Sequence, residues 1–285
     1  MRFTKMHGLG NCYLFIDCFE RPVDDAPALA RAMSDRNTGV GSDGLIALYP
    51  SRSADARMEI YNLDGSRPQM CGNGIRCAAK YLYEHGLARS NPMRIETDAG
   101  VRVLELFLDG PRVREVRVDM GAPRLAPEDL PVRLPADQMV DRPIRIRGHD
   151  AAMTCVSMGN PHAILFGLPL DMFRGDGREE WLAVEGRRIE TDPMFPERVN
   201  VHFVEVHSPD EVTMLTWERG SGATQACGTG ASAVCVAGVL TGRTGRAITA
   251  HLPGGDLSLE WNASNDHVFM RGPAVEIFTG DWPTD

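Results

Sequence analysis

The sequence predicts an α/β chain folded as two similar halves. Three observations lead there. Strand-like alternation is interspersed with a few helical stretches, a proline- and glycine-rich break falls near the middle, and one motif recurs at a fixed shift. At 285 residues the chain is long for a single core and comfortable for two.

In the first half, alternation marks strands at 13–17, 45–49, 58–61, 94–97, 101–108 and 113–120. Asp109-Gly110-Pro111 reads as the turn between the last two. Helical spacing covers 26–35, and again from Gly74 to about His85, where Gly86 closes the helix. Gly121-Ala122-Pro123, Pro127, Pro131 and Pro135 then interrupt regular structure, so the crossing between halves is placed there. The expected domains are 1–118, with a closing strand at 272–285 returning to them, and 119–271. The second half carries strand patterns at 151–158, 163–166, 199–206 and 211–217. A helix follows from about Gly230 to Thr241, then strands at 247–251, 256–261, 267–270 and 274–278.

The repeat is visible in residues. At a shift of 156, Met58-Glu59-Ile60-Tyr61-Asn62 lies over Met214-Leu215-Thr216-Trp217-Glu218, and Cys71-Gly72-Asn73-Gly74 lies over Cys227-Gly228-Thr229-Gly230. A weaker echo, at a shift of 149, joins Gly8-Leu9-Gly10-Asn11 to Ser157-Met158-Gly159-Asn160. One C-G-x-G match between glycine-rich turns is weak. The same match nine residues after an aligned segment, with a strand before and a helix after, argues for duplication. Similar halves that bring matched segments together would set Cys71 and Cys227 face to face.

Composition narrows the chemistry. A hydrophobic fraction of 43% and a charged fraction of 24% are those of an ordinary globular protein. The net charge of −9 argues against a nucleic-acid partner. No signal-peptide pattern opens the chain and no 18-residue apolar run follows, so a cytoplasmic location without a membrane role is expected. Seven cysteines, an odd number with no C-x-x-C pair, point to free thiols and not to disulfides or a structural zinc. No metal is expected. Of 30 basic residues only Lys5 and Lys80 are lysine, and neither has the surroundings of a lysine that holds pyridoxal phosphate, so no cofactor is expected.

Cys71 and Cys227 each stand after a polar, glycine-rich loop and before a helix. The N–H groups and positive dipole end of a helix start favour an anion, either a thiolate or a carboxylate. Two such cysteines make an acid–base pair, one as thiolate and one as thiol. That pair suits inversion of an amino-acid α-carbon, where a base takes the proton from one face and an acid returns one to the other. Charge developing on the carboxylate would be stabilised by the two helix starts. Cys18, Cys77, Cys155 and Cys235 sit in apolar patterns and read as packing residues. Cys12, beside Asn11, is ambiguous.

These residues resemble the diaminopimelate epimerase family. The matching segments are Met6-His7-Gly8-Leu9-Gly10-Asn11, Asn62-Leu63-Asp64-Gly65-Ser66, Met70-Cys71-Gly72-Asn73-Gly74-Ile75-Arg76-Cys77, Gly159-Asn160-Pro161-His162, Asn200-Val201, and Glu218-Arg219-Gly220 leading to Ala226-Cys227-Gly228-Thr229-Gly230. They span most of the chain in the family's order. The resemblance implies two pseudo-symmetric domains, each a mixed sheet wrapped around a central helix, with the site between them. It implies a cofactor-independent isomerase that converts LL- to meso-2,6-diaminopimelate, for lysine and peptidoglycan precursors, and a homodimer. Under it Cys71 and Cys227 are the acid–base residues, assisted by His162, with Glu218 pairing an ammonium group. Gly72, Asn73, Gly228 and Thr229 would bind the reacting carboxylate. Asn11, Asn62, Asn160, Asn200 and Arg219 would hold the remaining carboxylates and amines.

Four positions depart from the family pattern: Cys12 and Ala223 where acidic residues are usual, Gly44 where many members have glutamine, and Ser232 where some have cysteine. Other readings remain. A racemase or epimerase of proline or hydroxyproline would use the same thiols without needing Arg219 and so many amides. A cysteine hydrolase would use His162 as base. A non-catalytic homologue would bind ligand without turnover.

Overall fold

The computed structural model describes residues 1–133, 139–169, 173–174 and 177–283. Pro135, in the predicted crossing, and the last two positions of the predicted closing strand lie outside the described residues. The chain divides into two compact units, Met1–Asp119 with Arg271–Asp285, and Met120–Met270.

The first unit opens with β1 (Arg2–Gly8) and β2 (Asn11–Asp17), then α1 (Ala26–Ser34), β3 (Gly44–Tyr49) and β4 (Ala56–Asn62). It continues through α2 (Gly72–Glu84), β5 (Met93–Thr97), β6 (Gly100–Asp109) and β7 (Arg112–Asp119). The ladder is mixed. β1–β2 is antiparallel, β2–β3 parallel, β3–β4 antiparallel, β4–β5 parallel and β5–β6 antiparallel.

The second unit contains β8 (Arg142–Ile146), β9 (His149–Ser157), β10 (Pro161–Phe166), α3 (Arg178–Glu190), β11 (Asn200–Ser208) and β12 (Glu211–Glu218). After these come β13 (Gly222–Thr224), α4 (Gly228–Leu240), β14 (Ala247–Leu252), β15 (Gly255–Trp261) and β16 (Val268–Pro273). Its ladder repeats the first. β9–β10 is antiparallel, β10–β11 parallel, β11–β12 antiparallel, β12–β14 parallel and β14–β15 antiparallel. The chain re-enters the first unit within β16, and β17 (Val275–Asp281) pairs antiparallel with β1.

Each unit has one helix enclosed by strands. In α2 every residue from Gly72 to Leu82 is buried, and the helix packs on β1, β2, β3, β5, β6 and β7. In α4 the residues Gly230 to Gly238 are buried, against β9, β10, β11, β14 and β15. The sequences explain this. Gly-Thr-Gly-Ala-Ser-Ala-Val-Cys-Val-Ala-Gly-Val-Leu is small and apolar all round, and a helix without a polar face belongs in an interior.

The outer helices are of another kind. α1 is capped by Asp25, whose Oδ1 accepts from Ala28 N at 2.9 Å, with a proline in its first turn. Its Ala30 and Met33 pack with Leu14, Ile16, Leu45 and Ala47. α3 lays Trp181, Leu182 and Ile189 on Leu165, Phe203 and Leu215, with Trp181 edge-on to Phe203 at 5.0 Å. The sequence patterns did not predict α3 or β8. No helix among the described residues is long and apolar enough to cross a membrane.

Candidate active site

Cys71 is the N-cap of α2 and has extended backbone angles (φ −136°, ψ 118°). The helix starts two residues earlier than the predicted Gly74, so the cysteine itself caps it. Its Sγ accepts from Gly74 N–H at 3.4 Å and lies 3.4 Å from the hydroxyl of buried Tyr13. The thiol also points at Asn11 Oδ1, 3.7 Å away. Gly74 sits in a tight space. A Cβ there would lie 2.7 Å from Ile46 Cδ1 and 3.7 Å from Cys71 Sγ.

Asn11 is oriented from behind. Its Nδ2 donates to Asp43 Oδ2 at 2.9 Å, so the amide oxygen faces Cys71. The same carboxylate oxygen accepts from Cys12 N at 2.8 Å. Gly10, at φ 84°, makes the turn that brings Asn11 to this place. Below the cysteine, fully buried Arg76 donates to Gly72 O (3.2 Å), Asn73 Oδ1 (3.1 Å) and Pro273 O (3.3 Å). The guanidinium thereby fastens the first turn of α2. Asn62 Nδ2 donates to Ser66 Oγ at 2.9 Å within the turn that follows β4.

The second unit builds its own centre. Cys227 is the N-cap of α4 (φ −121°, ψ 107°), a helix that again begins two residues before its predicted start. Its Sγ is 3.6 Å from Thr229 Oγ1. One donor atom from each of Cys227, His162 and His202 lies within 4.8 Å of the others, and all three residues are buried. A sulfur and two imidazoles could hold a soft metal ion. All four ring nitrogens, however, already have hydrogen-bond partners. His162 Nδ1 meets His202 Nε2 at 2.9 Å, and His162 Nε2 meets Asn160 Oδ1 at 2.9 Å. His202 Nδ1 meets Thr216 Oγ1 at 3.1 Å. Burial, foremost, keeps both rings neutral. His162 is held well below the usual histidine range, with His202 and Arg219 adding to the effect, and His202 is pushed down to about 3.

Asn200 braces the neighbouring turn. Its Nδ2 donates to Pro161 O at 2.9 Å and its Oδ1 accepts from Arg219 N at 3.0 Å. Arg219 Nη1 donates to Glu197 O at 2.9 Å, and Glu218 Oε1 accepts from Thr224 Oγ1 at 2.6 Å. Buried Glu190, at the end of α3, accepts from Gly220 N (3.0 Å) and Trp217 Nε1 (2.8 Å). The unpredicted helix therefore supports the Glu218-Arg219 turn.

Four of the other thiols are packing residues. Cys18, Cys77, Cys155 and Cys235 are buried, and desolvation pushes the last three up to about 12. Cys12 is half-buried and raised, chiefly by desolvation and then by Asp43. Both lysines are engaged, Lys5 with Gly41 O at 2.7 Å and Lys80 with Glu84 (2.6 Å) and Val113 O (2.7 Å). Gly44 has a local reason. A Cβ there would lie 2.2 Å from Tyr61 O, so a glutamine does not fit this backbone.

Sequence reasoning missed Tyr13, Asp43, Glu190, His202 and Thr216. Tyr13 carried a usable signal, since it stands two residues after Asn11 on the same face of a strand.

Comparison with known proteins fits the duplication. The family model described as Diaminopimelate epimerase matches twice, at residues 3–126 and 154–277. A diaminopimelate epimerase of Pelotomaculum thermopropionicum is 50% identical over 285 residues, covering 99% of both chains. One from Acetivibrio thermocellus is 47% identical over 281 residues, covering 99% of this chain and 98% of its own. Among solved structures, a probable proline racemase from Agrobacterium radiobacter, with bound carbonate, covers 100% of this chain and 93% of its own. Its TM-score is 0.71 at 16% identity, a likeness of fold alone. Full-length identity near one half, with each half of the chain matching in turn, places this protein in the diaminopimelate epimerase family.

Proposed function

We propose that the chain is an isomerase that converts LL-2,6-diaminopimelate to the meso form by two-base chemistry, without a cofactor. The observation that carries this reading is the equivalence of Cys71 and Cys227. Each is the N-cap of the enclosed helix in its own copy of one ladder. One residue acts as thiolate and removes the α-proton. The other acts as thiol and delivers its proton to the opposite face, so the pair of protonation states is exchanged after each turnover. Negative charge passes to the α-carboxylate, where the first turns at Gly72-Asn73 and Gly228-Thr229 supply N–H groups and the positive dipole ends.

The substrate has two carboxylates and two ammonium groups. Asn11, Asn62, Asn160, Asn200 and Arg219 are assigned to hold them, Glu218 to pair an ammonium group, and His162 to support the centre at Cys227. The product serves lysine and peptidoglycan precursor synthesis, which is cytoplasmic work, and the assembly is assigned as a homodimer.

Incubation with LL-diaminopimelate in heavy water tests the reading. Deuterium should enter the α-position with formation of the meso isomer, and Cys71→Ala and Cys227→Ala should each abolish it. Full turnover by either variant would rule out two-base chemistry. Exchange into proline but not diaminopimelate would overturn the substrate.

A further inference from the structure

His202 lies outside the residues that the family resemblance assigns, yet it is the middle of an unbranched hydrogen-bond chain. The chain runs from Thr216 on β12, through His202 on β11 and His162 on β10, to Asn160 just before β10. Thr216, His202 and His162 are at most 1% exposed, so bulk water does not reach them. The ring of His202 is also fixed in place. It rests against the first turn of α4, where a Cβ on Gly230 would come within 2.2 Å of Cε1.

With Asn160 Oδ1 turned toward His162, as it is placed here, the chain has one consistent proton order. The amide oxygen of Asn160 can only accept, so His162 Nε2 must carry the hydrogen. A neutral imidazole has one N–H, which leaves His162 Nδ1 bare. His202 Nε2 must then donate to it, and His202 Nδ1 must accept from the Thr216 hydroxyl. With its oxygen held by His162, Asn160 turns its amide hydrogens the other way. Any ligand group that meets them must be an acceptor.

We propose that His202 is a positioning residue that fixes the tautomer of His162 and, through it, commits Asn160 to present N–H donors to a carboxylate and not to an ammonium group. That the carboxylate belongs to diaminopimelate rests on the function proposed above; the ordering of the chain does not.

The test is nitrogen-15 NMR of the imidazoles in the full-length protein without substrate. Both His162 and His202 should appear as neutral rings protonated at Nε2. In His202→Leu, His162 should lose that single tautomer, and KM for diaminopimelate should rise about tenfold with kcat within about twofold. His202→Gln keeps an N–H donor at the same reach and should restore both. Thr216→Val should loosen His202 while leaving the ring that touches Asn160 in place. His162 found protonated at Nδ1 in the unaltered protein would overturn the proposal, and so would an unchanged tautomer in His202→Leu. The expected tautomers with no turnover of diaminopimelate would uphold the ordering and overturn the substrate reading instead.

Discussion

The phenolic oxygen of Tyr13 lies 3.4 Å from the sulfur of Cys71, so a residue from the second strand touches the cap of the enclosed helix. Tyr13→Phe removes the hydroxyl that makes that contact. A net hydrogen bond is worth about 1 kcal/mol, so kcat should fall about fivefold while the melting temperature stays within a few degrees. Steady-state kinetics with a thermal melt separates the two, and an unchanged kcat would remove Tyr13 from the reaction.

Asp43 holds Asn11 and the backbone of Cys12 with one carboxylate oxygen. Asp43→Ala should free the Asn11 amide to rotate away from Cys71. The expected result is a rise in KM of about tenfold and a loss of about 1–3 kcal/mol in denaturant unfolding. If KM is unaltered, Asn11 needs no such brace.

Glu190 accepts from both Gly220 N and Trp217 Nε1 while buried. In Glu190→Ala both donors lose their partner, at a cost of about 2–4 kcal/mol. The Glu218-Arg219 turn should loosen and KM should rise more than kcat falls. A variant with native KM would show that the turn holds itself.

The two buried imidazoles set an acid limit on stability. Both have folded pKa values below the ordinary 6.5, with His202 at about 3, so the unfolded chain binds protons first as pH falls. Stability is intact above pH 6.5 and is lost between pH 6.5 and about 3. The slope is at most about 1.4 kcal/mol per pH unit for each ring. Denaturant midpoints measured from pH 7 to pH 4.5 should show this fall, and His202→Gln should reduce the slope by about half. An equal slope in that variant would assign the acid sensitivity elsewhere.

Much of this architecture could be read before any coordinates. The helices α2 and α4 were visible because a glycine-rich turn precedes an apolar run, although each starts two residues earlier than the glycines indicated. α3 was not, because Arg-Glu-Glu-Trp-Leu-Ala-Val-Glu-Gly-Arg-Arg-Ile-Glu spreads its few apolar residues among charges and offers no side-chain cap. The repeat held the missing information. α1 joins β2 to β3, and α3 joins the matching strands β10 and β11. The motif cysteines stood out through their local spacing. Tyr13, Asp43 and His202 did not, because their contacts are made between residues far apart in the chain.

The pairing of β17 with β1 has a bearing on how the protein is made. Arg2 faces Asp281 in that ladder, with the whole second unit lying between them along the chain. During synthesis, the second unit is complete and able to fold while the first still lacks its last strand. The first unit is completed after the second, so Cys71 sits in an unfinished framework until β17 has been made. A circular permutant that moves β17 ahead of β1 would reverse that order.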